Sequence, residues 1–241
     1  MLLEPFYNPR KTYYENFEEG PFGAFANGEI LINKDGPKRE LFKQKVFSPF
    51  GIPAGPLVNG KFMKAALDKG FDIPVYKTVR TRRRQCHPWP NVLPVDIEGD
   101  LTLEKAKKKL IVKENYDEPL SITNSFGNPS YSPDFWQEDI GNIVKYAKSG
   151  KMVGASFEGT RWEGENEKKY IDDWVLGARL LKETGAHFIE ANLSCPNEGT
   201  TALLCYDADK VHIIANSIKN ETGDFPLVLK ISYFTDNNAL E

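Results

Sequence analysis

His187-Phe188-Ile189-Glu190-Ala191-Asn192-Leu193-Ser194-Cys195-Pro196-Asn197 starts as a β-strand and ends as a polar loop. Its first half carries the apolar residues of a buried strand. Its second half surrounds one thiol with Asn192, Ser194 and Asn197, and Pro196 stiffens the turn. Helical patterns lie on both sides. Residues 170–184 set Ile171, Trp174, Val175, Ala178 and Leu181 on one face and stop at Gly185, and residues 207–221 turn Val211, Ile214, Ala215 and Ile218 inward. Beyond the helices come two more short buried strands, 152–157 and 226–231.

The same rhythm runs back to residue 46. Val46-Phe47 leads into Ile52-Pro53-Ala54-Gly55. A helix over 61–69 ends at Gly70, and residues 75–79 form a β-branched strand. A long excursion over 80–119 holds a Lys-rich helix at 103–110. A strand over 119–123 follows, then a helix over 135–149 between Ser132-Pro133-Asp134 and Gly150. Strands alternating with helices of this length imply an α/β fold with parallel strands joined by crossovers. The alternation alone does not separate a barrel from an open doubly wound sheet, although no GxGxxG or Walker motif supports the latter. Residues 1–45, broken by Phe6-Tyr7-Asn8-Pro9 and Glu19-Gly20-Pro21-Phe22-Gly23, form an irregular arm. A short strand is expected at 29–32, closed by the turn Lys34-Asp35-Gly36-Pro37. The expected division is an arm, 1–45, and an α/β unit, 46–241.

Composition narrows the functional classes. Of 241 residues, 40% are apolar and 27% charged, with a net charge of −3. That describes a globular protein with no basic field for nucleic acid or an anionic membrane. No apolar run approaches the ~20 residues that span a bilayer, and the first residues do not form a signal peptide. Cys86, Cys195 and Cys205 have no CxxC or zinc-like spacing, so reduced thiols in the cytoplasm are expected and a metal is not. Cys205 sits in an apolar stretch and reads as packing, while Cys86 reads as a surface-loop residue whose Arg-rich neighbourhood favours the thiolate.

Several strand ends carry polar residues that a structural strand does not need: Ala54-Gly55, Lys77-Thr78, Asn192 to Asn197, and Lys230. Asn124-Ser125-Phe126-Gly127-Asn128-Pro129 adds a fifth cluster. A lone strand lysine usually reaches solvent, and a lone Asn usually makes a turn. Two lysines at equivalent strand ends instead point to an anionic guest: a phosphate-bearing cofactor, a reduced flavin or a carboxylate. Asn supplies both a donor and an acceptor, which suits a planar imide or amide ring.

Asn192-Leu193-Ser194-Cys195-Pro196-Asn197 resembles the signature of the soluble, class 1 dihydroorotate dehydrogenases. Pro53-Ala54-Gly55, Tyr76-Lys77-Thr78, Asn124-Ser125-Phe126-Gly127 and Val228-Leu229-Lys230 resemble other segments of that family in the same order. The likeness extends over about residues 45–235. It implies a (β/α)₈ TIM-type barrel that binds FMN at its mouth and oxidises dihydroorotate in pyrimidine synthesis, with a hydride passing to the flavin and a proton to Cys195. By the same carry-over, Lys77 would act beside flavin and substrate, and Ala54, Gly55, Thr78, Asn124, Asn192 and Lys230 would hold FMN. Lys77, Asn124, Phe126, Gly127, Asn128, Asn192 and Asn197 would hold the substrate. A homodimer is the assembly implied.

Phe126 and Asn128 stand where Met and Leu are common in the family, and Val58 replaces a lysine of the membrane-associated class. Another flavin-barrel pyrimidine oxidoreductase, dihydropyrimidine dehydrogenase-like, is therefore the alternative enzyme. By family order, the strands near Ile52, Val75, Val153, Phe188 and Leu227 are about the first five of eight. The expectation is a fragment or truncated product with weak FMN binding and little activity alone, or a remnant acting only in interactions.

Overall fold

The structure is a computed structural model and describes residues 6–33, 36–116, 121–196 and 203–234. The arm contains a two-turn helix, α1 (Tyr13–Glu19), where only irregular chain was expected. The signal was a capping box: the Thr12 hydroxyl accepts from Glu15 N, and the Glu15 carboxylate accepts from Thr12 N. Helix α1 turns Tyr13 and Phe17 into the main core. Residues 29–33 form no strand. Strands β1 (Arg39–Leu41) and β2 (Gln44–Val46) instead make a small antiparallel hairpin, and Lys34 and Asp35 of the expected turn lie outside the described residues.

The α/β unit then runs β3 (Gly51–Ile52), α2 (Gly60–Asp68) and β4 (Ile73–Val79). The excursion that follows holds β5 (Val92–Asp96), a single helical turn α3 (Leu103–Ala106), β6 (Ile111–Val112) and β7 (Ile122–Asn124). Helix α3 stops well short of Leu110 because Lys105, Lys107, Lys108 and Lys109 crowd like charges onto a turn with no buried face. The rest is α4 (Pro133–Tyr146), β8 (Gly154–Phe157), α5 (Glu167–Glu183), β9 (Phe188–Asn192), α6 (Ala208–Thr222) and β10 (Leu227–Lys230).

Strands β3, β4, β8, β9 and β10 form one parallel sheet in which each strand pairs with the next in the chain, apart from the excursion. A doubly wound sheet reverses direction at a switch point. This sheet advances one way throughout, which is the order of a (β/α)₈ barrel, here in part. Helix α5 covers β8 and β9, α2 packs on β4 and α4, and α5 packs on α6. The core between these layers is built on Phe62, Met63, Ile140, Phe157, Trp174, Leu181, Ile189 and Ile214, each 1% exposed or less. Phe157 and Trp174 meet edge to face at 5.5 Å.

Strands β5, β6 and β7 form a separate antiparallel sheet, order β6-β5-β7. Strand β7 overlaps the strand expected at 119–123, of which 119 and 120 lie outside the described residues, while β5 and β6 were not expected, and β6 is exposed at both positions. No helix among the described residues is long and apolar enough to cross a membrane.

Candidate active site

Parallel pairing sends the C-terminal ends of all five barrel strands to one edge of the sheet. The register there is explicit: Lys230 lies beside Asn192, Ala191 beside Phe157, and Phe157 beside Val79. Two backbone bonds stitch the rim, Leu193 N to Lys230 O and Glu158 N to Val79 O, at 3.0 and 3.1 Å. Lys77 N donates to Leu57 O at 3.0 Å, which draws the segment after β3 against β4.

A cavity of about 800 Å³ opens at this edge. From the segment after β3 it takes Ala54 and Gly55, and from β4 Lys77 and Thr78. The excursion supplies Asn124, Phe126, Gly127 and Asn128. The ends of β9 and β10 give Asn192, Cys195 and Lys230. These are all the residues singled out from the sequence except Asn197, which lies outside the described residues. Its walls also include Ser125 and Ser194, already named within their motifs, and three residues to which no role at the site was assigned from the sequence: Tyr7 and Tyr13 from the arm, and Val58. The arm tyrosines reach the wall through tertiary packing.

Lys77 is the chemical centre of this surface. It is 7% exposed, and burial pulls its pKa down to about 8, opposed in part by the Glu158 carboxylate; Arg80 lowers it further, and the thiols of Cys86 and Cys195 favour its charged form. Its ammonium donates to Asn128 Oδ1 at 2.9 Å. Lys230, half-buried, pairs with Glu190 at 2.9 Å. Each lysine thus has a carboxylate nearby, so the cavity is less strongly cationic than two bare ammonium groups would make it.

Behind the wall, Arg80 and Glu158 form an ion pair at 2.8 Å with both side chains fully buried. Neither was marked in the sequence, because an Arg after a strand and a Glu after a strand look like solvated loop residues. Thr78 and Ser156 share a hydroxyl bond at 3.0 Å between β4 and β8. Cys86 departs from expectation. It is half-buried against the core, and burial pushes its thiol pKa up despite the neighbouring Lys77.

Two features fit the cavity to a bound guest. Gly55 has φ +140°, and a Cβ there would meet nothing within 4 Å, so the backbone is open to close approach. The Tyr7 hydroxyl is buried at the wall with no hydrogen-bond partner among the described residues. Its neighbour Asn16 gives its Nδ2 to the carbonyls of Asn8, Lys11 and Thr12 and accepts from Asn8 N. A buried donor left in that state costs about 1–3 kcal/mol until something accepts from it.

The chain is similar to a dihydroorotate dehydrogenase of Dictyostelium discoideum, 33% identical over 251 aligned residues that take in 100% of this chain and 67% of the relative. This chain belongs to the dihydroorotate dehydrogenase family. As a dihydroorotate dehydrogenase relative it is an oxidoreductase, and its parallel sheet is the barrel of that family in part. No family model matches it. In this dihydroorotate dehydrogenase-type chain, the Cys195 loop, both strand-end lysines and the Asn124-to-Asn128 segment share one cavity.

Proposed function

We propose that the chain's cavity is the site at which a reduced pyrimidine, dihydroorotate in the first instance, is oxidised against FMN. The observation that carries this reading is the shared lining: Lys77, Asn124, Asn192, Cys195 and Lys230 come from four elements and line one opening. FMN, when bound, supplies the acceptor for the hydride leaving the ring carbon.

The rest of the work falls to the chain's own side chains. Cys195, half-buried beside Ser194 and Asn192, is the base that removes the proton from the adjacent ring carbon. Lys77 and Lys230 present ammonium groups to the negative charge that gathers on a reduced flavin or on the substrate carboxylate. Ala54, Gly55 and Thr78 offer a close backbone approach for the planar cofactor. Asn124, Asn192 and Asn197 hold the pyrimidine edge, and Phe126 and Gly127 shape the wall. The protein acts in the cytoplasm, and a homodimer is the proposed assembly.

Asn128, standing where relatives commonly have Leu, contacts Lys77 directly and favours a comparison of substrates. The chain alone is expected to load FMN weakly and turn over slowly, and in the loaded fraction anaerobic mixing with dihydroorotate is expected to bleach the flavin. Bleaching by dihydrouracil or dihydrothymine but not by dihydroorotate would transfer the assignment to a dihydropyrimidine dehydrogenase-like activity. No bleaching by any of them would remove the catalytic reading.

A further inference from the structure

Glu158 and Arg80 do not line the cavity, yet the side chains that do are fastened to them. Glu158 Oε2 accepts from the Nδ2 groups of both Asn128 and Asn192, the latter at 3.3 Å. Glu158 Oε1 accepts from Arg80 Nη2 at 2.8 Å. Arg80 in turn donates through Nε to the Asn128 carbonyl at 3.2 Å and through Nη1 to Thr160. Its own backbone is held by Ser130 Oγ at 3.0 Å and by Trp136 Nε1 at 3.1 Å. Asn128 has φ +52°, the left-handed region that Asn tolerates better than most residues.

A carboxylate only accepts, so both carboxamides must turn their NH₂ groups to it. Their oxygens then point elsewhere. That of Asn128 receives the Lys77 ammonium at 2.9 Å, and that of Asn192 receives Ser194 Oγ at 3.3 Å, one residue from Cys195. Arg80, permanently charged, pairs with the carboxylate where both side chains are fully buried.

We propose that Glu158 is a positioning residue for this site: with Arg80 behind it, its buried carboxylate sets the orientation of Asn128 and Asn192, and through Asn128 it holds Lys77 as an oriented ammonium facing the guest. The proposal deepens the reading of the cavity as a reduced-pyrimidine site and rests on it for its functional consequence, but its structural content is independent of any ligand. The charged and titratable groups facing Lys77 are Glu158 at the end of β8, Arg80 just beyond the end of its own strand, and the thiols of Cys86 and Cys195. The Lys230–Glu190 pair belongs to the two strands farther along.

The test is a pH titration of the Lys77 side-chain ammonium by NMR in the ligand-free protein, paired with orotate binding measured across the same pH range. Glu158→Gln removes the charge, and its one carbonyl oxygen can replace Oε2, which accepts from both asparagines, only by turning its NH₂ group toward the Arg80 guanidinium. Asn128→Gly leaves the Arg80–Glu158 ion pair whole, suits the left-handed backbone and removes the carboxamide that joins Glu158 to Lys77, with both of its bonds. Glu158→Gln is expected to move the Lys77 midpoint down by about one pH unit or more, as loss of a neighbouring opposite charge does. Asn128→Gly is expected to move it less, in the same direction, and the alkaline limit of orotate binding is expected to follow in both. If Glu158 is merely structural, Glu158→Gln lowers thermal stability while the Lys77 midpoint stays with the parent's, and that overturns the proposal. Should Glu158→Gln fail to fold, an unshifted midpoint in Asn128→Gly overturns it equally. A shifted midpoint together with no orotate binding by the parent at any pH supports the positioning network and instead refutes the pyrimidine reading of the cavity.

Discussion

Lys77 illustrates how one buried charge ties function to stability. Its folded pKa, about 8, lies below its ordinary value of 10.5. Below pH 8 the folded state carries a desolvated ammonium, so the group costs stability there. The cost diminishes as pH rises from 8 to 10.5, where the folded state has released the proton and the unfolded chain still holds it, and it is gone once the unfolded chain loses its proton too. Lys77→Met is therefore expected to resist urea better than the parent near neutral pH, with the gap closing toward pH 10.5. Orotate binding to the parent is expected to weaken as pH climbs through 8, and in Lys77→Met that limb disappears; an unchanged limb would show that another group titrates there. Cys195→Ala belongs to the same scale. A missing general base typically costs about 10²–10⁴-fold in turnover. Orotate affinity in that variant is expected to stay within a few-fold of the parent's, as measured by titration. The residues of this surface were legible where they sat in motifs, as Cys195 and Asn124 do. Arg80 and Glu158 were not, because a buried ion pair is made by two distant loop positions, and only the fold brings them to 2.8 Å.

At the level of elements, α2 shows how a single side chain anchors one rim of the cavity. Asn59 Oδ1 caps the helix by accepting from Lys61 N and Phe62 N at 3.0 and 3.4 Å, and its Nδ2 donates to Phe17 O at 2.7 Å. Asp139 of α4 accepts from Gly60 N and from the Tyr76 hydroxyl, both at 2.7 Å, locking α2, α4 and β4 together. Asn59→Ala loses the cap and leaves the Phe17 carbonyl without this donor, for a combined cost of about 2–3 kcal/mol. Chemical denaturation checks the number. Because Ala54 and Gly55 lead directly into this helix, guest affinity is expected to fall as well. Helices α4, α5 and α6 were readable from apolar spacing and stop signals, with ends differing by only a few residues. Helix α1 was hidden behind the Gly and Pro on either side of it, although Thr12 and Glu15 marked its start. The β5–β7 sheet was readable only at β7, which overlaps the strand expected over 119–123; the two-residue β6, exposed at both positions, has no period to show.

At the scale of the whole molecule, the core and the cavity occupy different parts of the sheet. Helices α5 and α6 bury Leu181, Ile214 and Ile218 at 0% exposure, and the cavity opens at the strands' C-terminal ends. Leu181→Ala is expected to cost about 2–5 kcal/mol of stability while leaving the pH dependence of orotate binding in the folded fraction unchanged. A shifted pH dependence would mean that the core and the Lys77 surroundings are coupled. The alternation of strand and helix announced parallel pairing, but the unidirectional order of the sheet, which separates a barrel from a doubly wound fold, depends on pairings that alternation does not encode.

One wall of the cavity stands on a different foundation from the others. Asn124 ends β7, an exposed strand hydrogen-bonded to β5 and attached to no barrel strand among the described residues. An edge of the ribbon that is exposed at all three positions opens more readily than the largely buried β5 beside it. Whatever occupies the site has to still that ribbon before it can use Asn124, and the entropy lost in doing so is subtracted from affinity, not from the stability of the barrel. A crosslink pinning the ribbon to the barrel rim would then tighten binding by slowing escape, with the chemical step left as it was.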